Sequence, residues 1–155
     1  MSLLMRKILI SVLPVLLLGI LFNCTSVTKQ NVPIDTQKIH IQREWMLVSL
    51  GNFTKADLMK QKAKIDLTAK QEEGKIRGGA YMGCNNMSFT AEFKNNGEVK
   101  ILGLLSTMKA CQNMELESEF QKKFETMTKF TVEGHFLTLS DDKGNSMKFV
   151  ASDWD

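Results

Sequence analysis

Between Trp45 and Ala151 apolar residues recur at every second position in short runs, and that alternation limits the chain to a sheet with one face packed and one face wet. In Lys62 to Ala69 the apolar set is Ala63, Ile65, Leu67 and Ala69. The same period returns in Phe89, Ala91 and Phe93, in Val99 and Ile101, in Phe130 and Val132, in Leu137 and Leu139, and in Met147, Phe149 and Ala151. Trp45 to Leu50 is a further strand-like run, closed by Gly51-Asn52. Turn signals at Asn95-Asn96-Gly97, at Glu133-Gly134 and at Asp141-Asp142-Lys143-Gly144-Asn145 separate the runs. Spacings this short make hairpins, so the sheet is expected to be antiparallel.

One segment has a different period. From Glu115 to Met127 the apolar residues Leu116, Phe120, Phe124 and Met127 step by four, four and three, which lines one face of a helix. Glu115, Glu117 and Glu119 occupy its first turns and Lys122 and Lys123 follow, the order the helix dipole prefers. Asn113 is the expected cap. A helix with two Phe on its packed face needs a concave apolar surface, which a curled antiparallel sheet supplies. The expected fold class is therefore α+β: a small, curled, barrel-like antiparallel sheet wrapped around one amphipathic helix.

Of the 155 residues, 43% are apolar and 24% charged, with 10 Gly and 2 Pro, the composition of one compact domain. A formal charge of +3 with no long basic run argues against nucleic acid as a partner.

The N-terminus reads as an address. Arg6 and Lys7 precede Ile8 to Phe22, an apolar stretch shorter than the about 20 residues a membrane span needs but suited to a secretory signal. It ends in Leu21-Phe22-Asn23-Cys24, which resembles a bacterial lipobox with Cys24 as the lipidated residue. Asn23 stands where such a motif normally has a small residue, and a conventional cleavage site fits less well because Leu21 is not small either. The division expected is a lipoprotein signal peptide at 1–23, a flexible stalk at 24–42 rich in Thr, Ser, Lys, Gln and Asn, and a folded domain at 43–155. Removing 1–23 also removes Arg6 and Lys7, which leaves the mature chain nearly neutral, so attachment to the membrane would rest on lipid. Thr25 is not the Asp that marks inner-membrane retention in enteric bacteria, which favours the outer membrane, facing the periplasm.

Cysteine usage agrees with export. With Cys24 carrying lipid, Cys84 and Cys111 remain as an even pair in an oxidising compartment. A disulfide between them would close a loop of about 28 residues and contribute roughly 3 to 4 kcal/mol; two buried free thiols are the other reading.

Several strings acquire meaning together. Gly83-Cys84-Asn85 follows the pair Gly78-Gly79; Ser106-Thr107-Met108-Lys109-Ala110-Cys111 precedes the helix with Glu117 and Phe120; and Trp45-x-Leu47 stands ahead of them all. From about Trp45 to Phe149 the chain resembles the META domain family, also called HslJ-like. Two positions depart: Lys109 stands where the family has Met before Ala110-Cys111, and Met87 where it tends to carry an aromatic. The resemblance implies a small antiparallel sheet curled around a helix, in bacterial envelope proteins that are often lipoproteins, with links to heat shock, antibiotic tolerance or virulence. It implies no enzyme activity, so no catalytic residue carries over. The motif residues Trp45, Gly78, Gly79, Gly83, Asn85, Thr107 and Ala110 read as scaffold, with the glycines around a tight reversal. Asn85 is expected to tolerate the left-handed region and bond its own backbone, and Trp45 to plug one end of the core.

The search for chemistry returns little. His40 falls in the stalk and His135 after a turn, and a dyad of His135 with Cys84 or Cys111 would lose its nucleophile to a disulfide. Gly78 to Gly83 has neither the lysine nor the following helix of a phosphate loop, and no Cys or His pair has zinc spacing. One cluster offers an alternative: Met82, Cys84 and Met87 in one loop and Met108, Cys111 and Met114 in another are soft donors suited to Cu(I). The expectation is a non-enzymatic envelope module without a cofactor, tethered to the membrane through Cys24 and binding an envelope protein or small ligand in stress tolerance; Cu(I) binding is the alternative.

Overall fold

A computed structural model describes residues 41–154. In chain order the elements are β1 (Glu44–Leu50), α1 (Lys55–Lys60), β2 (Lys64–Asp66), β3 (Lys75–Tyr81), β4 (Asn86–Phe93), β5 (Val99–Ser106), α2 (Glu115–Phe124), β6 (Lys129–Glu133), β7 (Phe136–Ser140) and β8 (Ser146–Ala151). The strands form one eight-stranded sheet in the order β5-β4-β3-β2-β1-β8-β7-β6, with antiparallel pairing throughout. At one end the two outer strands meet: the Val99 N–H donates to the Thr128 carbonyl at 2.9 Å and the Phe130 N–H to the Gly97 carbonyl at 2.8 Å. The sheet is thus curled into a half-barrel, mostly β, with two short helices among the described residues.

Alternation fills the inner face. Trp45 sits opposite Ile65 on one neighbour and Ala151 on the other, and all three are buried. Its ring is wholly enclosed and its indole N–H donates to the Ile41 carbonyl at 2.9 Å, so the polar handle of the largest core side chain is satisfied. Ile41 is itself buried and the Gln42 side chain donates to the Ala69 carbonyl, so the folded region takes in the last two residues of the expected stalk. The other expectations for residues 1–40, with Cys24 and His40 among them, lie outside the described residues.

Leu116, Phe120 and Phe124 of α2 join the same core as the strands, and Phe124 meets Phe89 of β4 edge-on with ring centroids 4.8 Å apart. Each such ring contributes about 1.5 to 3 kcal/mol by leaving water. The helix ends at Phe124, earlier than the apolar spacing predicts: the N–H groups of Thr126 and Met127 return to the carbonyls of Lys123 and Phe124, and Met127 is buried in that turn. Its cap also differs. Met114 holds the N-cap position without a side-chain bond, while the Asn113 carboxamide oxygen accepts from the Glu115 N–H at 3.2 Å from one residue outside.

Two elements escape the alternation rule. Helix α1 is six residues long, too short to show a period, and its signature is local: the Thr54 hydroxyl accepts from the Asp57 N–H while the Asp57 carboxylate accepts from the Thr54 N–H, a capping box. Strand β2 covers only Lys64–Asp66, because Lys62 has a positive φ of 53° and Asp66 turns the chain by accepting from the Thr68 N–H and hydroxyl; Ala69 is exposed.

Gly78 and Gly79 lie not in a reversal but in the middle of β3, paired with Phe89 and Ser88. Gly78 faces the Phe89 ring so closely that a β-carbon there would overlap it. The strand surrenders a side chain so that the aromatic of its neighbour can lie across it. At Gly79 a β-carbon would meet nothing nearer than the Met87 carbonyl at 3.7 Å.

The β7–β8 hairpin is organised by Asp141. Its carboxylate accepts from the Asn145 side chain at 2.7 Å, from the backbone N–H groups of Asn145 and Lys143 at 2.8 and 2.9 Å, and more distantly from Thr126. These donors, the Asn145 side chain foremost, hold its pKa below the ordinary aspartate value.

Two outcomes follow from this packing. Gly78→Ala is expected to cost about 1 to 3 kcal/mol in urea unfolding while Gly79→Ala stays near neutral; equal losses would contradict the assignment of the close approach to Gly78. Because the folded-state pKa of Asp141 is depressed, its contribution is present above the unfolded value and fades as pH falls through the folded one. The stability difference between the protein and Asp141→Asn, followed by thermal melting, should therefore shrink on acidification and persist at neutral pH.

Candidate functional site

The residues of the shared motif converge where β4 begins, where the chain leaves β5 and where α2 starts. Asn85 is almost fully buried and uses its whole carboxamide. Its oxygen accepts from the Thr107 hydroxyl at 2.7 Å and the Lys109 N–H at 2.8 Å; its nitrogen donates to Glu117 Oε1 at 2.8 Å and the Lys109 carbonyl at 3.2 Å. The Asn85 backbone N–H donates to Glu117 Oε2 at 2.8 Å. Asn85 therefore bonds across the fold to the segment after β5 and to α2 rather than to its own backbone, and it has no positive φ.

Glu117 is the residue whose role the periodicity conceals. By sequence it is an acidic residue of the first helical turn; in the fold it is 2% exposed, with both carboxylate oxygens engaged by Asn85 and with Gln121 at 3.4 Å. The signal available was its position: one residue after Leu116 and three before Phe120, it borders the packed face rather than standing opposite it. No buried side-chain nitrogen or oxygen among the described residues lacks a partner, so the cluster is a closed polar network in an apolar surround.

Cys84 and Cys111 are joined by a disulfide with Cα atoms 6.1 Å apart. The bridge ties the loop ahead of α2 to the start of β4, beside the Asn85 contacts. Gly83 adopts a φ of +105° just before it, and a β-carbon there would collide with the Gln61 side chain. Positive φ and a close neighbour both demand glycine here, as expected of a reversal.

This arrangement bears on the soft-metal alternative. With the two sulfurs bonded to each other no thiolate donor remains, and the methionines do not gather around them as one set: Met82 and Met87 are buried in the core cluster, whereas Met108 stands 99% exposed. The six residues are therefore not assembled as a Cu(I) site in the oxidised protein. His135 packs flat on Trp154, ring centroids 3.8 Å apart, and the disulfide leaves neither Cys84 nor Cys111 free to serve it as a nucleophile.

The network presents a surface. From Ser106 through Gln112 every residue is exposed, although both ends of the segment are held by the disulfide and by Asn85. Leu105 is 70% exposed at its entrance. Ala110 is exposed within it, and nothing in the structure explains a requirement for alanine there.

The network generates a double-mutant test. Glu117→Ala leaves two Asn85 donors without partners in a dry site and should cost about 2 to 4 kcal/mol, and Asn85→Ala a comparable amount. Combined, the two should fall short of additivity by about 0.5 to 3 kcal/mol in denaturant unfolding; strict additivity would show that they do not act as one unit.

Comparison with known proteins agrees with this geometry. No curated protein matches the chain. Among solved structures, a protein from Burkholderia xenovorans determined by NMR is similar at a TM-score of 0.60 and 16% identity, over 77% of this chain and 88% of that one. A second NMR structure is similar at 0.55 and 21% identity, over 72% and 91%. A crystal structure of a DUF4847 family protein from Bacteroides vulgatus reaches 0.51 at 12% identity, over 77% and 99%. At these identities the likeness is one of fold. The META domain family model matches residues 37–154, a range that contains the whole sheet, both helices, the disulfide and the Asn85–Glu117 network, and the chain belongs to the META domain family.

Proposed function

We propose that this protein is a non-catalytic binding module of the bacterial cell envelope, held at the outer membrane by lipid on Cys24 and projecting its META domain into the periplasm on the stalk, where it serves stress tolerance. The observation that carries this reading is the Cys84–Cys111 disulfide, because such a bond persists in an oxidising compartment and is rare in the cytosol. It matches the export address in Arg6 to Cys24. The motif residues support a binding rather than a chemical role. Asn85, Thr107 and Glu117 spend their hydrogen-bonding capacity on one another, and the segment they brace offers exposed side chains in a preorganised backbone. In this reading the sheet wraps α2 as a rigid core, and recognition falls to the surface outside it.

Metabolic labelling with a fatty-acid analogue tests the anchor. Label is expected on the full chain and absent from Cys24→Ala, with the variant moving from the membrane to the soluble envelope fraction. An unlabelled wild-type chain that fractionates like the variant would overturn the reading.

A further inference from the structure

The two ends of the Cys84–Cys111 bond have unlike surroundings. Cys84 is 5% exposed at the entry to β4, whereas Cys111 is exposed in the segment that leads to α2. Thiol–disulfide exchange needs a thiolate to reach one of the two sulfurs, so access decides which sulfur is attacked. The Cys111 end is the one turned to solvent.

The buried end is furnished for the reduced state. The Lys109 carbonyl oxygen lies 3.7 Å from Cys84 Sγ, and Asn85 Nδ2 lies 3.6 Å from it. A sulfur held in a disulfide has no hydrogen to give that carbonyl, whereas a thiol has one. Opening the bond therefore leaves Cys84 with an acceptor already in reach.

The segment after β5 does not depend on the bond alone. Asn85 holds the Thr107 hydroxyl and both backbone groups of Lys109, and the Thr107 N–H donates to the Asn86 carbonyl at 3.0 Å. On the far side α2 is fixed by Glu117 and by the packing of Leu116 and Phe120. Between these holds residues 110–113 are all exposed, and the disulfide is what ties them to β4. The site also lies away from the point where the chain enters the domain. Thr107 joins Asn86 at the start of β4, while Ile41 shares an opening with Phe93 at its end, and the seven steps between Asn86 and Phe93 span about 23 Å. Leu105 and Met108, 70% and 99% exposed, give the same segment apolar contact surface.

We infer that the Cys84–Cys111 bond is a reversible switch, opened from the Cys111 side by a protein dithiol. A thiolate of the dithiol bonds to Cys111 Sγ; the bond between the two cysteines breaks, and its electron pair passes to Cys84 Sγ, which takes up the proton given up by the attacking thiol. The second thiol of the partner then displaces Cys111, which leaves as a thiol, and the partner departs oxidised to its own disulfide. The protein gains two electrons and two protons, and the partner loses them. Reduction frees residues 110–113 while the Asn85–Glu117 network keeps β4 and α2 in place. This inference goes beyond the binding-module reading and does not require the lipid anchor.

The test uses the full chain with Cys24→Ala, so that two cysteines remain, in non-ionic detergent with a thioredoxin-class protein whose second thiol is replaced by serine. Lacking that thiol, the partner accumulates as a mixed disulfide whose position is read by peptide mass. At least about tenfold more is expected on Cys111 than on Cys84. With dithiothreitol as reductant, the rate should stay flat across urea concentrations below the unfolding transition. The reduced chain should still melt cooperatively, with faster amide exchange confined to residues 110–113. No capture, capture on Cys84 or on both sulfurs alike, reduction that accelerates with urea as unfolding does, a reduced chain without a cooperative melt, or faster exchange throughout β4 and α2 would each overturn the inference. None of these results bears on the anchor, which the labelling of Cys24 decides separately.

Discussion

A single buried contact organises the part of this domain that alternation cannot. Asn85 and Glu117 are separated by 32 positions, and each leaves the other's polar atoms satisfied in a place water does not reach. Without it, Asn85 at the entry to β4 and Glu117 at the start of α2 would each carry buried polar atoms with no partner, at a cost of about 1 to 3 kcal/mol apiece. The disulfide ties the entry to β4 covalently to the segment between β5 and α2, acting on the unfolded chain by restricting it. The network specifies geometry in the folded state, so the two devices are complementary rather than redundant.

What the sequence made legible follows from which forces act locally. Alternation revealed the strands containing Phe89, Val99, Leu137 and Phe149, because each has one side in the core and one in water. The four-residue step revealed α2 and its buried Phe pair. Strand β3 was hidden because Gly78-Gly79 carries the signature of a turn; only the Phe89 ring, which arrives from another strand, explains a glycine there. Helix α1 was hidden by its length. The motif around Cys84 and Cys111 marked the right neighbourhood, but the function of Asn85 depends on Thr107, Lys109 and Glu117, all remote in sequence. Side-chain hydrogen bonds of that kind have no period and leave no pattern to read.

The residues of this family member divide between an enclosed, mutually bonded set and an exposed one. Asn85 and Glu117 are enclosed and bonded to each other, and Cys84 is joined to Cys111, so the chemistry of these groups is consumed in holding the backbone. On the outer side of β3 to β5, Arg77, Thr90 and Leu102 occupy matched register positions of a sheet whose inner side is committed to packing. A sheet of this kind gives its wet side fixed spacing without asking those residues to contribute to the core.

The order of the strands sets a schedule for assembly. β1 lies between β2 and β8, so the first strand of the sheet completes its pairing only with the last, through contacts such as Leu47 with Phe149. Strands β1 to β5 follow one another as neighbours, and so do β6 to β8, but the seam between these two halves closes across nearly the whole domain. Contacts of such long sequence separation slow folding, since the chain must be searched before they reward it. A chain emerging from a ribosome or a translocon can form hairpins on either side of that seam, yet it cannot bury Trp45 between Ile65 and Ala151 until its C-terminal residues have arrived.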